Sequence, residues 1–304
     1  MSGDSLRFPP LREGGAEPVW DGEGFVIDGA RSGCLRYPVG ESGWRDELTN
    51  LHKELSDGRH FIDIASRRLA VDALRRHCSG ADRTILEIGV SEGHLLKDLQ
   101  AANPGWRLVG ADYTFDTLTR ISGLRAPIPL VQFDLAKCPL PDAFADGVVA
   151  LNVLEHIERD DLAVAQCFRI LKPGGVAVIE VPAGPELYDD YDRELMHFRR
   201  YRLKPLAASF AAAGFDVLER THIGFLLYPA FYAYKRASRL RTKSNAPKAA
   251  PPESAHVVQA IGLSSRLGAF GRELMATEDF LRRFAYLPFG IRCHLVCRKP
   301  LRSG

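Results

Sequence analysis

The stretch "ILEIGVSEGHLLKDL", residues 85–99, decides the fold: an apolar run of strand character breaks on small residues and restarts as an amphipathic helix. A strand, a small-residue turn and a helix leave free backbone N–H groups and the positive end of a helix dipole in one place. That combination suits a nucleotide-like cofactor. Several cofactors exploit such a turn, so it does not choose among them by itself.

Outward from this stretch, apolar strands alternate with helical patterns, the signature of an α/β protein whose parallel sheet is covered on both faces. The predicted strands are "TILEIGV" (84–90), "RLVGAD" (107–112), "IPLVQFD" (128–134), "DGVVALN" (146–152), "VAVIEVP" (176–182), "FDVLERTHI" (215–223) and "IRCHLVCRK" (291–299). Helices are predicted over "EGHLLKDLQAA" (92–102), "DDLAVAQCFRIL" (160–171) and "LKPLAASFAAAG" (203–214), and "LKPGG" (171–175) reads as a turn between helix and strand. Residues 1–80 are expected to form an N-terminal extension with a strand-like "GFVIDGARSGCLRY" and helices near "DELTNLHKEL" and "IDIASRRLAVDALRRH". Residues 81–224 form the expected core and 225–289 an insertion or lid with a flexible linker near 242–255. Residues 290–304 supply the last core strand and tail.

The chain has 304 residues, 46% of them hydrophobic and 26% charged, enough to bury a large core. Its 40 basic and 38 acidic residues nearly cancel, which argues against a nucleic-acid partner. The six cysteines, at 34, 78, 138, 167, 293 and 297, lack metal-type spacing and read as buried free thiols in a reducing cytoplasm. No run approaches the ~18 apolar residues that a membrane span needs, and the N-terminus lacks a signal-peptide pattern.

A dinucleotide fingerprint needs G-x-G-x-x-G, whereas this turn is Gly89-x-Ser91-x-Gly93 with His94 at the third glycine position, which weakens NAD or FAD. The pattern Glu87-x-Gly89-x-Ser91-x-Gly93 resembles motif I of class I S-adenosylmethionine-dependent methyltransferases of the methyltransferase-11 type, with Ser91 standing where a second glycine is commoner. The resemblance continues in order through Asp112–Tyr113, "VQFDLAKCPLP", "DGVVALNVLEHI" and "RILKPGGVAVIEVP", covering roughly residues 82–222. It implies a Rossmann-like, seven-stranded, mostly parallel sheet with the last strand inserted antiparallel, and S-adenosyl-L-methionine as cofactor. It also implies that Asp112 accepts from the ribose hydroxyls and that Asp134 contacts the adenine amino group, with Phe133 and Leu135 flanking the ring. The methionine end would lie on the 87–93 turn, with Asn152 nearby.

Candidate catalytic groups follow the fourth strand, at the carboxyl edge of the sheet where ligands of open α/β folds bind: Glu155 and His156. A similar segment in ubiquinone-pathway and small-RNA 2′-O-methyltransferases carries Glu-x-x-Glu-His and binds a divalent metal. Here Asn152 replaces the first glutamate, so no metal is expected, because an amide holds a hard cation more weakly than a carboxylate. A polar helix start is the alternative role for Glu155 and His156. The loop "GPELYDDYDRELMHFRRY" (184–201) resembles the H-x-R-x-Y segment of many small-molecule methyltransferases. It offers His197 as base or substrate contact, and Tyr188, Arg199, Arg200 and Tyr201 as substrate contacts. A self-paired surface loop is the competing reading.

In "GFLLYPAFYAYKRASRLRTK" (224–243) aromatic residues give way to Lys235, Arg236, Arg239, Arg241 and Lys243. Core or lid packing is the leading reading, with peripheral membrane contact through 225–243 as the other. The expected reaction is methyl transfer to a small-molecule, glycan or lipid-linked acceptor, oxygen slightly favoured. A polymer methyltransferase and a non-catalytic cofactor-binding scaffold are the alternatives; oligomeric state is not legible.

Overall fold

The computed structural model describes residues 6–40, 60–122, 127–244, 268–282 and 284–301. The helix expected near 46–55 lies outside them, as does the expected linker from residue 245 onward.

Short strands open the chain: Val19–Trp20 (β1), Phe25–Ile27 (β2), Ala30–Ser32 (β3) and Cys34–Arg36 (β4). The first three form a small antiparallel sheet. It packs onto the core through Phe8, whose ring lies 5.1 Å from Phe25 and 5.7 Å from Phe144. Helix α1 (Phe61–His77) follows and buries Ala65, Ala70, Ala73 and Leu74.

The βα alternation then runs through the predicted strands, with one helix, α3, that the sequence reading did not name: β5 (Thr84–Ile88), α2 (His94–Ala102), β6 (Arg107–Asp112), α3 (Phe115–Ser122), β7 (Leu130–Gln132), β8 (Ala145–Leu151), α4 (Asp160–Ile170) and β9 (Leu171–Pro182). All of β5 is buried, as expected for a strand covered on both faces. After the short helix α5 (Asp190–Glu194) come α6 (Leu203–Ala212), β10 (Asp216–Ile223), α7 (Tyr228–Ser244), α8 (Gly268–Arg282) and β11 (Arg292–Arg298).

The main sheet has eight strands, in the order β10-β11-β9-β8-β5-β6-β7-β4, where the sequence predicted seven. Strand β11 lies between β10 and β9, antiparallel to both, as expected. The eighth strand is β4, from the N-terminal extension, paired in parallel with β7 (Cys34 opposite Leu130, Arg36 opposite Gln132). An uncovered β7 would leave a row of unpaired backbone groups, and β4 satisfies them. Being parallel, β4 also carries the chain toward the carboxyl edge. There the Tyr37 N–H donates to the Gln132 carbonyl (3.1 Å), and the Tyr113 hydroxyl donates to the Gly40 carbonyl.

The "LKPGG" turn is absorbed into β9 as a bulge. Ala145 faces Leu171 and Gly147 faces Val176, so 172–175 loop out of register, with Gly174 in the left-handed region (φ 80°). The cysteines are all free thiols, five of them buried. No helix among the described residues is long and apolar enough to cross a membrane.

Candidate active site

The 87–93 turn owes its shape to three left-handed residues in alternation: Gly89 (φ 79°), Ser91 (φ 45°) and Gly93 (φ 70°). Glycine adopts that conformation without steric cost, and the serine at 91 does so with strain. At Gly89 the requirement is also spatial, since a Cβ there would sit 2.6 Å from Val153 Cγ2. Thus β5's turn touches the segment that follows β8, and the two candidate half-sites are neighbours.

Asp112, at the end of β6, holds the turn in place. Its Oδ2 accepts from Ser91 N–H (3.2 Å) and its Oδ1 from Thr114 N–H (2.9 Å). Burial pushes its carboxyl up from the ordinary value, and the Thr114 and Ser91 N–H groups oppose that. Glu87, beneath the turn and 4% exposed, has an Oε2 without a hydrogen-bond partner. Burial, then repulsion from Asp112 and Asp98, raises its carboxyl well above the usual range. Asp134 Oδ1 caps a short helical turn by accepting from Ala136 N–H (2.9 Å). Phe133 and Leu135 are packed into the core, 3% and 4% exposed. The Tyr113 carbonyl accepts from Gln132 Nε2 (2.9 Å).

On the β8 side, Asn152 is left-handed (φ 55°) and its N–H donates to the Glu180 carbonyl (2.8 Å). This tight bend leads into the turn Leu154–His156. Glu155 is fully buried and neither carboxylate oxygen is hydrogen-bonded; burial raises its carboxyl to about 8, so it is mostly the neutral acid at pH 7. Its carbonyl accepts from Phe198 N–H (2.8 Å), which brings the 184–201 loop onto the turn. The His156 and His197 rings then meet edge to face, centroids 4.7 Å apart. Donor atoms of Glu155, His156 and His197 lie within 4.8 Å of one another. A cation there would require Glu155 to give up its proton in a buried setting that favours the neutral form.

His197 is oriented by Asp192: its Nδ1 lies 3.1 Å from Asp192 Oδ1, and its backbone N–H donates to the Asp192 carbonyl (2.8 Å). A carboxylate at Nδ1 selects the tautomer protonated there and leaves Nε2 to accept. Burial lowers the His197 value, and Asp192 pulls it the other way. Asp192 itself is fully buried, held ionised by His197, Arg200 and Lys235 against the cost of burial.

The four residues expected at the substrate are largely spent on the protein. Arg200 turns inward, donating from Nε to Asp192 Oδ1 (2.7 Å) and from Nη1 to the Ala183 carbonyl (3.2 Å). Arg199 and Tyr201 both clamp Asp160 at the start of α4, at 2.6 and 2.8 Å. The Tyr188 hydroxyl donates to the His197 carbonyl (2.7 Å). Lys235, the first residue of the basic run, is 3% exposed, with Nζ 2.6 Å from Asp189 Oδ1 and 3.4 Å from Asp192 Oδ2. The side chains of 237–243 lie outside the described residues. Sequence reasoning also missed Arg292, which bridges Glu180 (2.9 Å) and Asp63 (2.6 Å) beneath the site. A lone arginine beginning a strand carries no signal of that role.

The turn at the end of the first strand of a doubly wound sheet, with a carboxylate at the end of the next, defines a Rossmann-like fold. Residues 86–179 match a family model described as a methyltransferase domain. A Mycolicibacterium smegmatis protein named "probable S-adenosylmethionine-dependent methyltransferase" is 32% identical over 149 residues, 47% of this chain and 55% of that one. The demethylmenaquinone methyltransferase of Thermus thermophilus is 28% identical over 198 residues, 55% of this chain and 87% of that one. The chain spans about half the length of the mycobacterial relatives it matches. The fold is shared with phosphoethanolamine N-methyltransferase 2 of Haemonchus contortus, solved with S-adenosyl-L-methionine (TM-score 0.54, 17% identity, 91% of this chain and 62% of that one).

The cofactor of this class is S-adenosyl-L-methionine, and the residues present fit it. The left-handed turn would offer its backbone polar groups, and Glu87 its unpartnered side-chain oxygen, to the methionine end, and the Asp112 carboxylate would accept from the ribose hydroxyls.

Proposed function

We propose that this protein is an S-adenosylmethionine-dependent methyltransferase acting on a hydroxyl of a small-molecule, glycan or lipid-linked acceptor, with His197 as general base. The observation that carries the reading is the Asp192–His197–His156 line beside a turn in contact with Gly89. The cofactor supplies an electrophilic methyl group on a sulfonium. Transfer is an in-line displacement, so alignment of donor and acceptor contributes much of the rate. A hydroxyl must lose its proton as it attacks, and an imidazole with Nε2 unprotonated takes it. Asp192 fixes the ring and stabilises the imidazolium that forms. Neutral Glu155 adds no negative charge beside the two imidazoles. The relative named for demethylmenaquinone supports a small acceptor.

Incubation of the protein with isotopically labelled S-adenosylmethionine and a cell extract tests this. Label is expected in small-molecule or lipid fractions, and His197→Ala should lower turnover far more than affinity for S-adenosylhomocysteine. Label only in RNA, DNA or protein would overturn it.

A further inference from the structure

We propose that Lys235, on helix α7, is a positioning residue for His197: it neutralises Asp192 from the opposite side, so that the imidazole stays neutral with its proton on Nδ1. The proposal rests on the reading of His197 as base.

Lys235 reaches Asp189 and Asp192 from α7, and its ammonium is covered by the rings of Tyr191 (5.2 Å) and Phe231 (5.6 Å). Asp192 is thereby shared: Oδ2 faces Lys235, and Oδ1 takes both His197 Nδ1 and Arg200 Nε. The titratable and charged groups around His197 come from each packed element. Asp189 and Asp192 come from α5 and its cap, Arg200 from the loop before α6, Glu155 and His156 from the turn after β8, Lys235 from α7, with Tyr188 and Tyr191 beside them. With Glu155 protonated, two carboxylates balance two cations. Without the Lys235 charge, one buried carboxylate is left uncompensated. Arg200 is already committed to Asp192 and to the Ala183 carbonyl, so among the partners of Asp192 left in place the one able to respond is His197, by binding a second proton. An imidazolium cannot act as a base. A helix that looks like a lid thus sets the state of the base beneath it.

Long-range proton–nitrogen spectra of the full chain labelled with 15N-histidine read this without any acceptor, His197 being assigned through His197→Gln. The wild type should show neutral His197 protonated at Nδ1. Lys235→Met should move the protonation equilibrium roughly tenfold toward imidazolium, about one pH unit upward in midpoint. Lys235→Arg should restore the wild-type pattern, and Arg236→Ala, on the exposed neighbour, should change nothing. A folded Lys235→Met variant with an unchanged midpoint would overturn the proposal. If Lys235→Met does not fold, Asp189→Asn decides. It leaves Lys235 charged beside Asp192 with one carboxylate fewer, so the midpoint must fall, and no movement refutes the coupling. Failure of the base reading is seen separately, as undiminished turnover in His197→Ala.

Discussion

Asp112 is the most direct handle on the cofactor site. If Asp112 accepts from the ribose hydroxyls, Asp112→Ala removes that acceptor, and the Ser91 and Thr114 N–H groups lose the carboxylate that holds the turn at 2.9–3.2 Å. A hydrogen bond to a charged group contributes about 1.5–3 kcal/mol, so the loss should weaken S-adenosylhomocysteine roughly ten- to hundredfold. Asp112→Asn should lose a comparable amount despite its shape. Its NH2 must face an N–H donor of Ser91 or Thr114, placing two donors together where the carboxylate had two acceptors. Titration calorimetry measures the affinity, and thermal unfolding of the unliganded protein separates it from global damage. A folded Asp112→Ala variant that binds S-adenosylhomocysteine as the wild type does would remove this carboxylate from the site and refute the assignment of the turn.

Gly89→Ala should destabilise the fold by about 1–2 kcal/mol for the left-handed backbone plus about 1–3 kcal/mol for overlap with Val153, read by denaturant unfolding. Val153→Ala in the same chain should recover only the overlap part. Asp146 ties β5 to the bulge in β9, accepting from Lys172 (2.7 Å), Thr84 N–H (2.9 Å) and Arg83 (3.0 Å). Burial alone would raise its carboxyl, yet these partners hold it below the ordinary 3.8. Its contribution is therefore complete above the unfolded-state value and is lost as pH falls through the depressed folded-state value. Asp146→Asn should flatten the acid limb of stability against pH, and an unchanged limb would count against the pairing. Methyl transfer should survive EDTA, because Asn152 replaces a carboxylate and Glu155 holds its proton. Abolition by EDTA with recovery in magnesium would make Glu155 and His156 metal ligands instead.

The turn after β5 and most of the sheet were legible in the chain because their constraints are local. Left-handed backbone calls for glycine within a few residues of a strand end, and an alternation of apolar runs with amphipathic helices names the sheet. The eighth strand was not legible: Cys34–Arg36 is too short to announce its partner, and only the exposed edge of β7 gives it one. The cluster around His197 was legible as a collection of residue types but not in their roles. Arg200 and Lys235 look alike in sequence to any solvated basic residue. They became internal counter-charges because folding buried Asp192, which stands 43 positions from Lys235. Sequence alone set which backbone could turn and where polar groups would gather at the carboxyl edge. Which of those groups are spent on one another, and hence that His197 is oriented while Arg200 is consumed, was decided by tertiary structure, because desolvation and charge pairing depend on neighbours brought from distant parts of the chain.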